Sequence, residues 1–181
     1  MNKAKYFLAL VIPEPFQTEI MGLKQYVSDN FKSKGALRSP AHITLHMPFE
    51  WKEEKEPVLI EKLQAFTFNQ DISIELTKFS CFEPRVIFVD VLPNNTLNEL
   101  QNSLVKYVKQ NLNLFNQSND TRGFYPHVTI AFRDLKKVIF HSAWEHFKDK
   151  TLSASFEVKS FHLLKQSSNK WEVYKEIGFT A

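Results

Sequence analysis

The stretch Ser39-Pro-Ala-His-Ile-Thr-Leu45 decides how this chain is interpreted, because its last four residues have a second copy further along. The copy is His127-Val-Thr-Ile130, and it follows Tyr125-Pro126. Side chains alternate between the two faces of a strand, so each His shares a face with its Thr and the aliphatic residues point the other way. The sequence therefore predicts two strands that each present an imidazole and a hydroxyl on one face.

Chance is a poor explanation for the pair. Thr makes up roughly 5% of residues, and aliphatic residues occupy both other positions about once in fifteen. The chain has six histidines, so two such tetrapeptides are expected by chance on the order of once in ten thousand sequences. One His-x-Thr alone would carry little information, but two indicate a shared role.

Each motif lies in the last strand of a predicted strand-helix-strand unit. Continuous apolar runs predict strands, and apolar residues at helical spacing predict helices. One unit is strand 6–12, helix 16–31 and strand 41–47, ended by Pro48; the other is strand 86–92, helix 94–114 and strand 127–132. This order suggests an architectural duplication.

The rest of the chain is also read as mixed strands and helices. The remaining predicted elements are helix 53–66, strand 72–76, helix 141–147, and strands 153–164 and 171–177, which form a hairpin across Ser167-Ser-Asn169. Such a mixture favours an α+β fold with helices outside the sheets. No linker is long enough to separate free domains, so residues 1–181 are expected to form a single domain of two interleaved lobes.

Composition excludes several classes of protein. The net charge of +3 is mildly basic, which suits an anionic substrate but not a nucleic-acid coat protein, and only 4 glycines argue against Gly-rich nucleotide loops. Cys81 is the sole cysteine, so no intrachain disulfide forms. No apolar run approaches the ~18 residues that span a membrane. We expect a cytoplasmic protein without membrane contact.

The paired residue types suit phosphate ester chemistry. Histidine titrates near neutrality, so one neutral and one protonated imidazole can coexist and act as base and acid. Hydroxyls of Thr44 and Thr129 can donate hydrogen bonds to the oxygens on which charge develops. Two facing strands would place the base and the acid on opposite sides of the phosphorus.

Both motifs and their surroundings resemble the two-histidine (2H) phosphoesterase superfamily, also called the 2′-5′ RNA ligase-like family. The residues that carry the resemblance are Leu37-Arg-Ser-Pro-Ala-His-Ile-Thr-Leu45 and Tyr125-Pro-His-Val-Thr-Ile-Ala-Phe-Arg133. The resemblance implies a bilobal, pseudo-symmetric fold in which two antiparallel sheets form a central cleft. It implies His42 and His127 as acid and base, Thr44 and Thr129 as phosphate-binding hydroxyls, and no metal or other cofactor. The implied substrate is a nucleotide or RNA end with a 2′,3′-cyclic phosphate or a 2′-5′ bond, and we expect a monomer.

Other residues near the motifs are weaker candidates. Arg38, Arg122 and Arg133 have the forked donors that suit phosphate recognition, although a solvated surface position is the favoured explanation for each. Four aromatic residues are candidates for stacking on a base, with core packing as the alternative: Phe49, Trp51, Phe124 and Tyr125. His46 shares the motif face of its predicted strand but lies too far along it to ligate a metal together with His42.

Two other functions stay open at this point. A non-catalytic module could bind nucleotides or RNA in the same cleft, but it would not need both histidines. A metal-dependent hydrolase would need a carboxylate and histidine ligand set, for which the sequence offers no credible spacing.

Overall fold

A computed structural model describes residues 2–116 and 123–179. Within these residues the structure has strands and α-helices in the following order: β1 (Lys3–Val11), α1 (Phe16–Phe31), β2 (His42–Lys52), α2 (Glu56–Gln64), β3 (Ile72–Phe82), β4 (Val86–Val91), α3 (Asn95–Leu112), β5 (His127–Ala131), α4 (Lys137–Phe147), β6 (Thr151–Val158), β7 (Ser160–Ser167) and β8 (Lys170–Gly178). None of these helices is both long and apolar enough to cross a membrane.

All eight strands form one antiparallel sheet in the order β6-β3-β4-β5-β2-β1-β7-β8. The predicted α+β class is confirmed. The two predicted sheets are the two halves of this curled sheet, and they join where β5 meets β2. Because β2 and β5 are both central, the two motif strands lie side by side at the junction.

The predicted duplication appears in the sheet order. β1-α1-β2 in one half and β4-α3-β5 in the other place their last strand at the centre and their first strand next to it. Helix α1 has the predicted bounds, because Ile20 and Val27 fall on one buried stripe. Helix α3 begins where the Asn94 side chain accepts a hydrogen bond from Leu97 N at 2.9 Å, which satisfies one otherwise unpaired helix donor.

The prediction that Pro48 ends the first motif strand is wrong, since β2 continues to Lys52. The pairing of β1 with β2 slips on both sides of Leu8, where β-bulges interrupt the ladder. Pro48 lies in this irregular segment, where its missing N–H breaks no ladder bond. The preceding residue, Met47, has no register partner on β1, and its backbone N donates to Asn116 Oδ1 at 2.8 Å.

The predicted strand 153–164 is two strands, β6 and β7, which lie in different halves of the sheet. The chain leaves one half after Val158 and enters the other at Ser160, a crossing that alternation along the sequence does not reveal. The hairpin of β7 and β8 is confirmed. Its two-residue loop has positive φ at Ser168 (46°) and Asn169 (67°), as hairpin turns of this length require.

The helices cover one face of the sheet and leave the motif residues on the other. Alternate residues of β1, such as Tyr6, Leu8 and Leu10, point into the main core. The residues between them, Phe7 and Ala9, face the opposite side. This face also carries the histidines and threonines of β2 and β5.

Candidate active site

Four motif side chains form one group at the centre of the sheet. Strands β2 and β5 pair through Ile43 and Val128, which are both fully buried. In an antiparallel register the neighbours cross, so His42 lies opposite Thr129 and Thr44 lies opposite His127. The two histidines are therefore diagonal neighbours, a relation that separates backbones by about 7–8 Å. The structure brings together all four residues that the sequence singled out.

Both imidazoles are held in the same way. His42 Nδ1 lies 2.7 Å from Pro40 O, and His127 Nδ1 lies 2.6 Å from Tyr125 O. A carbonyl oxygen can only accept a hydrogen bond, so Nδ1 carries the proton in each ring. In the neutral form Nε2 then has the lone pair, which makes it the atom that accepts or delivers a proton.

Phenylalanine rings pack beside each histidine. The ring centroid of Phe7, on β1, lies 5.0 Å from that of His42. On the other side, Phe88 and Phe82 lie 4.8 and 5.2 Å from His127. These rings restrict the imidazoles to one orientation and exclude water from one side of each. Burial lowers the pKa of His42 to about 4, and the nearby charges of Lys24 and His127 act in the same direction.

Two side chains of α1 hold the segment that leads into β2. Gln17 donates from Nε2 to Ala41 O at 3.1 Å and accepts from Ala41 N at 2.6 Å. The buried Lys24 donates from Nζ to Ser39 O at 3.0 Å and to Pro40 O at 3.2 Å. Backbone groups on both sides of the turn into His42 are therefore fixed by side chains from one helix.

Asp134, after β5, connects the two motif regions. Its carboxylate accepts hydrogen bonds from Ser33 Oγ at 2.7 Å, Lys34 N at 2.7 Å and Gly35 N at 2.8 Å. Gly35 begins the short 3₁₀ helix Gly35–Arg38 that precedes the first motif. The turn after one motif strand thus fixes the loop before the other.

The additional candidates take different positions. Tyr125 lies beside the second histidine, and its hydroxyl donates to Asp90 Oδ1 at 3.1 Å. Arg38 is exposed on the 3₁₀ helix. Arg133 lies beyond the end of β5 with its guanidinium 5.1 Å from the ring centroid of Phe132, so the strand alternation from His127 does not extend to it. Arg122 is outside the described residues. Roles in substrate binding stay predictions for these residues.

The prediction that His46 shares the motif face is wrong. The β-bulge moves it opposite Leu8, so its ring points into the core, where it is 1% exposed and its Nδ1 lies 2.8 Å from Met47 O. Phe49 packs 5.6 Å from that ring. Phe49, Trp51 and Phe124 all pack against the main core, which explains their aromatic character without a ligand.

The group can transfer protons near neutral pH and can donate hydrogen bonds to an anion. Two imidazoles with oriented Nε2 atoms supply a base and an acid, and two hydroxyls supply donors. Within residues 2–116 and 123–179, no three His, Cys, Asp or Glu side chains converge as metal ligands would.

Comparison with known proteins identifies the family. The sequence model of the 2′-5′ RNA ligase superfamily matches residues 12–170. A protein of Geobacillus sp. (strain WCH70) named "Putative phosphoesterase" is 33% identical over 140 residues, 75% of this chain and 76% of that protein. A protein of Oceanobacillus iheyensis with the same description is 28% identical over 175 residues, 94% of this chain and 95% of that protein.

Solved structures share the fold. E. coli LigT in complex with 3′-AMP superposes with a TM-score of 0.68 at 21% identity, over 99% of this chain and 100% of that chain. A protein of Thermus thermophilus superposes with a TM-score of 0.63 at 16% identity, over 97% of both chains. Together with the family match, these findings identify an enzyme of the phosphoesterase type. The chain belongs to the 2′-5′ RNA ligase superfamily, the two-histidine phosphoesterases.

Proposed function

We propose that this protein is a metal-independent phosphodiesterase that opens 2′,3′-cyclic phosphates, or processes 2′-5′ phosphodiester bonds, at the ends of RNA or nucleotides. One observation carries the proposal. Two histidines and two threonines share one face of the sheet, and each histidine is fixed through Nδ1, which makes Nε2 the atom for proton transfer.

The reaction follows from this arrangement. One Nε2 takes a proton from water as the water oxygen bonds to phosphorus. The bond between phosphorus and one ribose oxygen breaks, and the other imidazole delivers its Nε2 proton to that oxygen. The product is a phosphomonoester. Each proton transfer is typically worth about 10²–10⁴ in rate.

The two threonines act on the same transition state. Charge builds on the two nonbridging oxygens, and the hydroxyls of Thr44 and Thr129 donate hydrogen bonds to them. Because each Thr lies opposite the His of the other strand, a phosphate held by both hydroxyls is flanked by both imidazoles. The geometry suits in-line displacement, with water and leaving oxygen on opposite sides.

The nucleotide part of the proposal draws on a relative. E. coli LigT, which has the same fold, has been solved in complex with 3′-AMP, ATP, NADP+ and phosphate. A nucleotide phosphate in the corresponding cleft fits the mild positive charge of this chain. Arg38, Tyr125 and Arg133 are proposed to contact the substrate around that phosphate.

Hydrolysis of adenosine 2′,3′-cyclic phosphate by EDTA-treated protein tests the proposal. Wild type is expected to turn over, with the product identified as 2′- or 3′-phosphate by chromatography. His42→Ala and His127→Ala should each lose at least about 100-fold in kcat while staying folded. His141→Ala removes an exposed histidine on α4 and serves as the matched control.

Each alternative function gives a different result. Full activity in either motif variant would refute two-histidine catalysis. Activity lost with EDTA and restored by a divalent metal would indicate a metal-dependent hydrolase. Tight binding of 3′-AMP without turnover of any cyclic phosphate would indicate the non-catalytic binding module. The single domain over residues 1–181, the monomeric state and the cytoplasmic location stay predictions.

A further inference from the structure

Lys24 is a buried cation behind the candidate active site. It lies on α1 and is 1% exposed, and among residues 2–116 and 123–179 its ammonium donates only to the carbonyls of Ser39 and Pro40. Within the described part of the chain no carboxylate lies within ion-pair distance of it. A buried charge without a paired carboxylate costs free energy of folding, so core packing alone is a poor explanation for a lysine here.

The carbonyl of Pro40 connects Lys24 to His42. It accepts from Lys24 Nζ at 3.2 Å and from His42 Nδ1 at 2.7 Å. A carbonyl oxygen has two lone pairs, so these two donors together satisfy it. The ammonium thereby fixes the oxygen that orients the imidazole. It also places a positive charge close to the ring, because both groups donate to the same oxygen.

The two histidines differ in the residues that pair with them across the strands. Across the strands, His42 faces the apolar Val11 on β1, whereas His127 faces Asp90 on β4. In the part of the chain that the structure describes, the charged or titratable groups that act on His42 are Lys24 from α1 and His127 from β5. One strand further away, His162 on β7 accepts from Val11 N at 3.4 Å and pairs with Glu176 on β8. Lys24 therefore disfavours the protonated form of His42, whereas the residue paired with His127 carries a carboxylate.

We propose that Lys24 is a positioning residue that orients His42 through the Pro40 carbonyl and adds to the effect of burial in disfavouring protonated His42, so that His42 is the general base and His127 is the general acid. This inference rests on the proposed function. His42 Nε2 takes the proton from the attacking water, and His127 Nε2 delivers its proton to the departing ribose oxygen. The pseudo-symmetry of the fold supplies two equivalent histidines, and Lys24 and Asp90 make them different.

The titration of the two imidazoles supports and tests the assignment. Burial first, and the charge of Lys24 second, lower the pKa of His42 to about 4. Burial lowers the pKa of Lys24 to about 7, so Lys24 is charged over the range in which His42 titrates. A titration of the free protein therefore reports the effect of the ammonium on the ring.

Histidine ring NMR of the full chain, labelled with ¹³C at the imidazole, measures this directly. In wild type, His42 should titrate at lower pH than His127. In Lys24→Met, which keeps most of the stem and removes the charge, the pKa of His42 should rise toward the ordinary value of about 6.5. Lys165→Met is the matched control. Lys165 lies on β7 and forms ion pairs with Glu53 and Glu56, so its replacement should leave the pKa of His42 unchanged.

Several results would overturn the proposal. One is a His42 pKa at or above that of His127 in wild type, a measurement that needs no variant. Another is an unmoved His42 pKa in folded Lys24→Met. These titrations need no substrate, so a wild-type protein that fails to hydrolyse cyclic phosphates would refute the proposed function separately.

Kinetics test the roles of the two histidines. Lys24→Met should lower kcat on adenosine 2′,3′-cyclic phosphate about 10- to 100-fold with little change in KM, and should move the acidic limb of the pH profile upward. A purely structural role would lower activity without moving that limb. The leaving group of bis(4-nitrophenyl) phosphate needs no proton, so on this substrate His127→Ala should be more active than His42→Ala. Equal losses, or the reverse order, would overturn the assignment.

Discussion

Gly35→Ala should loosen the connection between the two motif regions. A Cβ at Gly35 would lie 2.8 Å from Asp134 Oδ1 and 3.2 Å from its Cγ. Both distances are shorter than ordinary van der Waals contact, so the carboxylate must withdraw. It would then lose its hydrogen bonds from Ser33 Oγ, Lys34 N and Gly35 N. The backbone of Gly35 is not left-handed, so no conformational strain adds to this cost.

The size of the effect follows from these three hydrogen bonds. Hydrogen bonds to charged groups contribute about 1.5–3 kcal/mol each when buried, but Asp134 is exposed and water screens it. About 0.5–1 kcal/mol for each bond gives a loss of about 1.5–3 kcal/mol in the free energy of unfolding. For a chain of this size, that lowers Tm by about 3–12 °C.

Urea unfolding followed by tryptophan fluorescence measures the loss. The midpoint should fall with an unchanged m-value, which identifies an effect on stability alone. Gly22→Ala is the matched control: among the described residues, no heavy atom apart from its chain neighbours and the backbone of its own helix lies within 4 Å of the added Cβ. Because Gly22 lies inside α1, that variant should gain about 0.5–1 kcal/mol.

Two outcomes would refute the reasoning. The first is a Gly35→Ala midpoint equal to that of wild type. The second is an additive loss of stability when Gly35→Ala is combined with Asp134→Ala. Because Asp134→Ala already removes the hydrogen bonds and the clash, the double variant should be no less stable than Asp134→Ala alone. Additive losses would show that the two residues act independently.

Three further predictions concern the core and its buried polar groups. Burial lowers the pKa of His46, so the unfolded chain binds more protons than the folded protein, and stability is lost as pH falls below about 6.5. Urea unfolding should show a larger loss of stability between pH 7 and pH 5 for wild type than for His46→Leu. Equal losses would contradict this prediction. Phe88→Ala, at a fully buried ring beside the second motif, should cost about 3–5 kcal/mol by the same assay, whereas Phe115→Ala, at a ring that is 52% exposed, should cost far less. Glu56→Ala leaves the buried hydroxyl of Tyr6 without its acceptor and should cost about 1–3 kcal/mol, and a double-mutant cycle with Tyr6→Phe should show coupling if that hydrogen bond is responsible.

Much of the fold could be predicted because the signals are local. Helix α1 was predicted at its observed bounds, since apolar spacing within one helix depends only on nearby residues. The hairpin turn at Ser168 and Asn169 was also identified from local sequence. The wrong predictions concern segments whose structure depends on pairing with strands distant in the sequence. The bulge that turns His46 inward arises from pairing with β1, and the division of 153–164 arises from the two halves of the sheet.

The candidate site divides in the same way. Alternation along a strand places each His beside its Thr, so the two motifs were recognisable without any knowledge of their neighbours. Phe7, Phe88 and Lys24 gave no such signal. They are ordinary residues of an apolar strand or an amphipathic helix until the sheet order and helix packing place them beside the histidines.

Local sequence is thus enough to identify the chemical groups of the site, two His-Thr pairs on two strands, because side-chain alternation is a local property of the backbone. Tertiary structure decided that His42 lies opposite Thr129 and Thr44 opposite His127, because register between distant strands depends on the whole sheet. It also decided the unequal surroundings of the two histidines. Lys24 reaches His42 through the Pro40 carbonyl because α1 packs beside the start of β2, and Asp90 faces His127 because β4 pairs with β5.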